Sequence, residues 1–422
     1  MTLAIKNGYV INPADNTAGQ QDVLIDADRI AAIGNGLDGD ETIDATGCVV
    51  APGLVDIHCH FREPGFESKE TIASGSRAAA CGGFTSVVTM ANTSPPIDNA
   101  GLVELVTKRA REEACIRVYP AACATKGLHS EEITEMADLK EAGAVAVTDD
   151  GSDIPSSSVA RRALEYANMV GIPYLSHCED ESLAEGGVMN EGYMATLMGL
   201  PGIPKAAEEV RIDRNIRLAE LAGAHIHIQH VSTAAGVAII RQAKQRGARV
   251  SAESAPHFFC LTDEAVRGFN TNAKMNPPLR EPEDVQAVIE GFKDGTLDCI
   301  ATDHAPHTYT EKDVEFALAP FGIIGLETSL ALTLTHLVAP GHITLEDAVR
   351  LLTVGARVCN IPNAGMLSQG APADLVVFDP KGEWTVTQEC FASKSSNSPF
   401  IGQQVTGKVI HTLCGGAVVY SA

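Results

Sequence analysis

LVDIHCHF, residues 54–61, is an apolar run that closes on two titratable side chains, His58 and His60. On a strand, residues two apart share a face, so both imidazoles point the same way and could hold one metal ion. Seven further runs repeat the pattern of an apolar strand with a polar end: TSVVTM (85–90), RVYPAACAT (117–125), AVAVTDD (144–150), IPYLSHC (172–178), AHIHIQHVS (224–232), RVSAESA (249–255) and DCIATDH (298–304). Segments of helical period lie between or after them: Lys69–Cys81, Glu131–Ala142, Ser157–Val170, Ala206–Ala222, Ala234–Arg246, Pro282–Lys293, Leu326–Val338 and Leu345–Arg357. Eight β/α units over about 300 residues predict a closed (β/α)8 barrel of the TIM type rather than an open sheet.

Outward from this core the pattern changes. Residues 1–51 read as short strands broken by Gly, Asn and Asp, and residues 365–422 read the same way, with turns expected at Asp379–Gly382 and Gly415–Gly416. We therefore expect an α/β protein whose barrel, 52–364, carries a small β-rich domain, a composite β-sandwich, built from both termini. Lys and Arg number 31 against 54 Asp and Glu, a net charge of −23, which opposes binding to a phosphate backbone. No apolar stretch approaches the length of a membrane span and MTLAIKNGYVIN lacks the apolar core of a signal peptide, so neither is expected. The 11 cysteines form no C-x-x-C pair and fit packing in a reducing cytoplasm.

Catalytic groups of such barrels come from the C-terminal ends of different strands. Here Asp150 ends the fourth run, His177 the fifth, His230 the sixth and Asp303 the eighth. Four imidazoles and two carboxylates suit zinc or a similar divalent ion, and six ligands are too many for one tetrahedral site, so two metals are expected. Asp149 and Asp150 are adjacent, and alternation alone does not choose between them. His225 and His227 have the parity opposite to His230, which places them toward the helices or too low to reach the rim. Cys59 and Cys178 are expected to pack, His257 to lie beside the site at most, and His129, His336, His342 and His411 to be surface residues. The loop from His304 to Gly325 reads as a lid over the rim.

DIHCHFREPG (56–65), MANTSPP (90–96), VTDDG (147–151), LSHCED (175–180), IQHVS (228–232), KMNPPLR (274–280), ATDHAPHTYTEK (301–312) and APFGIIGLE (319–327) together resemble the dihydroorotases of the amidohydrolase superfamily, specifically the class I bacterial form. The resemblance spans nearly the whole chain. It implies reversible hydrolysis of the cyclic amide dihydroorotate to N-carbamoyl-L-aspartate in pyrimidine synthesis. It also implies that His58, His60 and Asp303 hold one Zn²⁺, that His177 and His230 hold a second, and that Asp150 bridges them. Arg62, Asn92 and His307 would grip the substrate carboxylate, Asn276 the ring, and Phe321 and Gly322 would close over it through their backbone. Asp303 would serve as general base and then acid. A homodimer, a complex with aspartate transcarbamoylase and a cytoplasmic location belong to the same expectation. The chain departs from the family pattern at Cys59 and Ala91, neither of which supplies a ligand, and at Pro256-His257-Phe258, where the family more often has a second His and the bonding around the ligands would differ. Hydantoinases, dihydropyrimidinases and allantoinases, acting on other cyclic amides or ureides, are the first alternative. They bridge their metals with a carboxylated Lys on the fourth strand, and here that strand ends in Thr148-Asp149-Asp150. A non-catalytic scaffold subunit should lack the ligands that this chain retains.

Overall fold

The computed structural model describes residues 1–422. Its central sheet has eight strands in chain order: β1 (Leu54–Cys59), β2 (Phe84–Thr89), β3 (Arg117–Cys123), β4 (Ala146–Thr148), β5 (Tyr174–Ser176), β6 (Ile226–Ile228), β7 (Val250–Ser254) and β8 (Cys299–Ile300). Every neighbouring pair is parallel. The first and last strands meet through a parallel bridge between Cys59 and His304, where the His60 N–H donates to the His304 carbonyl at 2.8 Å. Just below, buried Asp56 accepts from the backbone N–H and the hydroxyl of Thr302, at 3.1 and 2.5 Å. These contacts close the predicted barrel.

The expected helices Ser157–Val170, Ala206–Ala222 and Pro282–Lys293 form over those residues. The first shows why: Ser156 accepts from the Val159 N–H at its start, and Gly171, at φ 67°, ends it in the left-handed conformation. Other boundaries differ. The first helix begins at Ile72, because Thr71 and Ser74 form a capping box there, and the third begins at Met136. A helix over Ala100–Glu113, capped by Asn99, was absent from the sequence reading, since its charged residues mask a narrow buried stripe of Val103, Val106 and Ala110. Leu326–Val338 forms only Ser329–Thr333 and a π turn, Leu334–Val338. Leu345–Arg357 divides into Leu345–Leu351 and Gly355–Val358; between them the Thr353 hydroxyl donates to the Val349 carbonyl at 2.7 Å, a local bond that competes with the helix.

Both chain ends contribute to one further sheet. Its strands run, side by side, Ala417–Ser421, Gln404–Cys414, Leu375–Thr385, Val49–Pro52, Thr2–Asn12, Thr17–Asp26 and Arg29–Gly34, with Glu41–Asp44 also paired to Thr2–Asn12. Ile5, Val10, Val23, Ile25, Val50, Leu375 and Leu413 form its core. The turn expected at Asp379–Gly382 is instead a register shift within the single strand Leu375–Thr385, because pairing to Gln404–Cys414 resumes at Glu383. A separate apolar cluster, with Val55, Ile57, Val88, Ala121, Leu175 and Cys299, packs against Ala356, Val358 and Ile361 below the rim. No helix is long and apolar enough to cross a membrane.

Candidate active site

The six residues singled out at strand ends converge on one buried patch. Asp150 lies at its centre: its carboxylate oxygens are 3.2 Å from His58 Nε2, 3.5 Å from His60 Nε2, and 3.7 Å from both His177 Nδ1 and His230 Nε2. Asp303 Oδ1 sits 3.0 Å from His60 Nε2 and 3.6 Å from His58 Nε2. All six are less than a tenth exposed. Asp149 is turned away, accepting from the Ala124 and Thr125 backbone and from the Thr125 hydroxyl, so the structure separates the two adjacent carboxylates.

Local backbone explains how residues beyond the regular strands reach the centre. His230 has φ 33°, Asp303 φ 48° and Arg62 φ 61°, left-handed values uncommon for side-chain-bearing residues. Such conformations cost on the order of 1–3 kcal/mol each and cluster at functional sites. The kink at His230 also explains the histidine parity. His227, within β6, is fully buried below the rim and bonded to Glu253 and Ser251, and His230 reaches the rim only because the chain turns after Ile228.

Charge follows the geometry. Burial raises the Asp150 pKa, but His58, His177 and His230 outweigh it and hold the carboxyl well below its usual range. Asp303 is lowered likewise: burial opposes it, and His58 and His60 prevail. Two imidazole nitrogens of the ring, His58 Nε2 and His177 Nε2, are buried with no hydrogen-bond partner. The ligand atoms of His58, His60 and Asp303 lie within 4.8 Å of one another, as do those of His58, Asp150 and His230. An unpartnered His58 Nε2 facing both carboxylates, with nitrogens of His60, His177 and His230 within 4 Å of Asp150, is the donor set of a divalent metal, and these residues fit one.

A polar cavity of about 170 Å³ opens beside this patch, lined among others by Arg62, Asn92, Asn276, Phe321 and Gly322. Arg62, whose pKa burial pulls down to about 10, donates through Nε to the Pro306 carbonyl at 3.2 Å, leaving most of its guanidinium donors free. Asn92 is engaged: it accepts from His60 Nδ1 at 2.9 Å and donates to Asp150. Asn276 Oδ1 is buried and unpartnered. His307 Nε2 donates to the Phe321 carbonyl at 2.8 Å; burial, with Arg62 and Lys312 close by, pushes its pKa down to about 2 and keeps it neutral.

The loop over the rim is fastened by residues the sequence reading did not identify. Asn397 accepts from the His307 N–H and donates to the Ala305 and Gly322 carbonyls, all at 3.1 Å. Lys312 Nζ donates to the Thr271, Lys274 and Pro320 carbonyls. His304 is buried, accepting at Nδ1 from the Gly325 N–H. Glu253 and Gln229 lie directly under His58. His304, Lys312 and Gln229 lie within the quoted motifs, but only long-range pairing reveals these roles, and Asn397 and Glu253 lie in no motif at all. His257 is buried with its Nε2 unpartnered, Cys59 and Cys178 are packed, and His129 is exposed as expected. His336, His342 and His411 are half-buried rather than surface residues.

A closed β/α barrel with four imidazoles and two carboxylates gathered at its C-terminal rim is an enzyme of the amidohydrolase kind. Comparison with known proteins narrows this. Residues 47–235 match the family described as Dihydro-orotase-like. Over full length the chain is 51% identical to the dihydroorotase of Pelobacter propionicus, each chain covered completely. It is 50% identical to that of Acetivibrio thermocellus, covering 99% of this chain and 98% of that one. The L-hydantoinase (dihydropyrimidinase) of Arthrobacter aurescens superposes with a TM-score of 0.90 at 27% identity, covering 99% of this chain and 96% of the other. The chain belongs to the dihydroorotase family.

Proposed function

We propose that the chain is a dihydroorotase of the class I form, opening and closing the cyclic amide of dihydroorotate. The observation that carries this reading is Asp150 encircled by four imidazoles, with Asp303 on the side of the cavity that Arg62 also lines. His58, His60 and Asp303 would hold one Zn²⁺, His177 and His230 a second, with Asp150 between them. When bound, zinc supplies a Lewis acid and lowers the pKa of water to about 7.

The chain's own groups do the rest. Arg62, with His307 beside it, grips the substrate carboxylate through its planar fork. Asn92 keeps His60 oriented and lies within reach of the same carboxylate. Asn276 offers its free amide oxygen to a ring N–H, and the backbone at Phe321 and Gly322 covers the ring. Asp303 takes a proton from the attacking water as the new C–O bond forms, then delivers it to the ring nitrogen as the C–N bond breaks. The reverse sequence closes the ring.

The absence of a Lys at the end of β4 and the presence of Arg62 favour an acidic ring over the substrates of hydantoinases. The test is ring opening by the purified, zinc-supplemented chain on dihydroorotate, hydantoin and dihydrouracil, with metal content measured in parallel. Turnover confined to dihydroorotate is expected; turnover of hydantoin alone would assign the neighbouring activity.

The same reading divides the chain into a barrel over 52–364 and a composite β-sandwich domain from 1–51 and 365–422. It places the enzyme in the cytoplasm as a homodimer able to join aspartate transcarbamoylase. Sedimentation of the chain alone and mixed with that enzyme tests the last two points.

A further inference from the structure

Below the rim a line of polar side chains crosses the barrel interior. His58 Nδ1 lies 2.7 Å from Glu253 Oε1. The other carboxylate oxygen, Oε2, lies 3.0 Å from His227 Nε2. His227 Nδ1 lies 2.8 Å from Ser251 Oγ, which lies 2.9 Å from His225 Nε2. His58, Glu253 and His227 are at most 1% exposed and Ser251 8%, so no water competes for these bonds.

Donor and acceptor assignments along this line follow from one fact: an ionised carboxylate only accepts. Each oxygen of Glu253 meets one imidazole nitrogen, at 2.7 and 3.0 Å, the geometry of a carboxylate accepting from two N–H groups. His58 therefore donates from Nδ1 and His227 from Nε2. His227 Nδ1, left with a lone pair, accepts the Ser251 hydroxyl, and Ser251 accepts in turn from His225. Every member is satisfied in one arrangement, and that arrangement leaves the His58 Nε2 lone pair facing Asp150 and Asp303. With His227 and His225 neutral, reversing a Ser251 link leaves a buried group unpaired, at a cost of about 1–3 kcal/mol.

We infer that Glu253, His227 and Ser251 are positioning residues: a hydrogen-bonded chain anchored at His225 fixes the ring and tautomer of His58 for metal binding. The contrast with its neighbours supports a specific role. His60 Nδ1 meets only the neutral amide of Asn92, whereas His58 alone among the four rim imidazoles has a carboxylate behind it. His227, Glu253 and Cys299 lie within 4.8 Å of one another, yet the carboxylate and imidazole are already fully bonded, which argues for a support and against a second metal site. The inference rests on the metal reading above.

The experiment is chelator competition for Zn²⁺ on the full chain, reading the dissociation constant directly, with thermal unfolding to verify the fold. Loss of a partner behind a metal-ligating His typically weakens binding about 10–100-fold. Glu253→Gln is expected in that range. His227→Leu, which strips Glu253 of one donor, is expected to weaken binding less, and His227→Gln, which returns a donor, is expected to restore it. Ser251→Ala gives the smallest effect and serves as the readout if Glu253→Gln fails to fold. Zn²⁺ held equally tightly by the parent and Glu253→Gln overturns the inference alone. Equal weakening by His227→Leu and His227→Gln overturns it too, because packing rather than the bond then matters. A parent chain that takes up no Zn²⁺ removes the metal reading itself.

Discussion

At the rim of the barrel, six ionisable side chains face one another and leave His58 Nε2, His177 Nε2 and Asn276 Oδ1 without a protein partner. One layer lower, Asp56, Thr302, Glu253 and His227 are as deeply buried, yet every one of their polar side-chain atoms is paired. Burial is the same in both layers; satisfaction is not. A folded chain tolerates unpaired buried polar atoms where a ligand completes them. The lower layer is finished by the protein itself and stabilises the closure of the barrel.

That difference predicts unequal responses to substitution. At the rim, Asp303→Asn keeps the shape but removes the proton carrier, and kcat should fall about 10²–10⁴-fold. Its stability without metal should fall, but by less than in the lower layer, because the attraction of His58 and His60 outweighs the burial of the Asp303 carboxylate and the amide keeps only part of it. Steady-state ring-opening kinetics with denaturant unfolding checks both halves; an active Asp303→Asn enzyme would break the comparison. In the lower layer, Asp56→Ala strands three donors, the N–H and hydroxyl of Thr302 and the N–H of His58. The expected loss is about 3 kcal/mol of stability, read as a shift in the urea midpoint. Any residual activity of the folded fraction should keep its KM.

How far the sequence reveals each layer follows from the same contrast. The rim residues were legible because each ends an apolar run, so His58, His60, His177, His230 and Asp303 stand out one at a time, while Asp150 was separable from Asp149 only by the resemblance. The lower layer was not, because Glu253 in RVSAESA and Asp56 in LVDIHCHF acquire partners only when distant strands close side by side. His225 and His227 were recognised as unable to reach the rim, but their place within the interior depended on a positive φ at His230 that alternation cannot foresee. Asn397 lies 90 residues beyond His307, in a loop with no pattern of its own. Helix ends were read well where Ser, Gly or Pro punctuates them and poorly where a capping box or a Thr back-bond decides.

Arg62 tests whether the cavity beside the rim is built for an anion. Arg62→Lys keeps the charge but loses the fork, so the KM for dihydroorotate should rise about 10–100-fold, the worth of one or two charged hydrogen bonds, with kcat much less affected. Equal KM values for the two enzymes would show that the carboxylate is held elsewhere.

His257 sharpens the comparison at its border, being buried with an unpartnered Nε2 but lying outside the ligand set. Burial pushes its pKa down to about 4 from an ordinary 6.5. The unfolded chain therefore binds a proton at this residue below about pH 6.5 while the folded chain stays neutral until about pH 4, so stability is lost as pH falls through that window. From pH 7.5 to pH 5 the loss from this one group is about 2 kcal/mol at most, by the value of 1.36 kcal/mol per pKa unit. Urea unfolding of the parent and of His257→Gln across that range measures it as a shallower acid slope in the variant. Identical slopes would mean that His257 is protonated in the folded state, with a partner on the cavity side, and would move it from the finished interior to the ligand-completed rim.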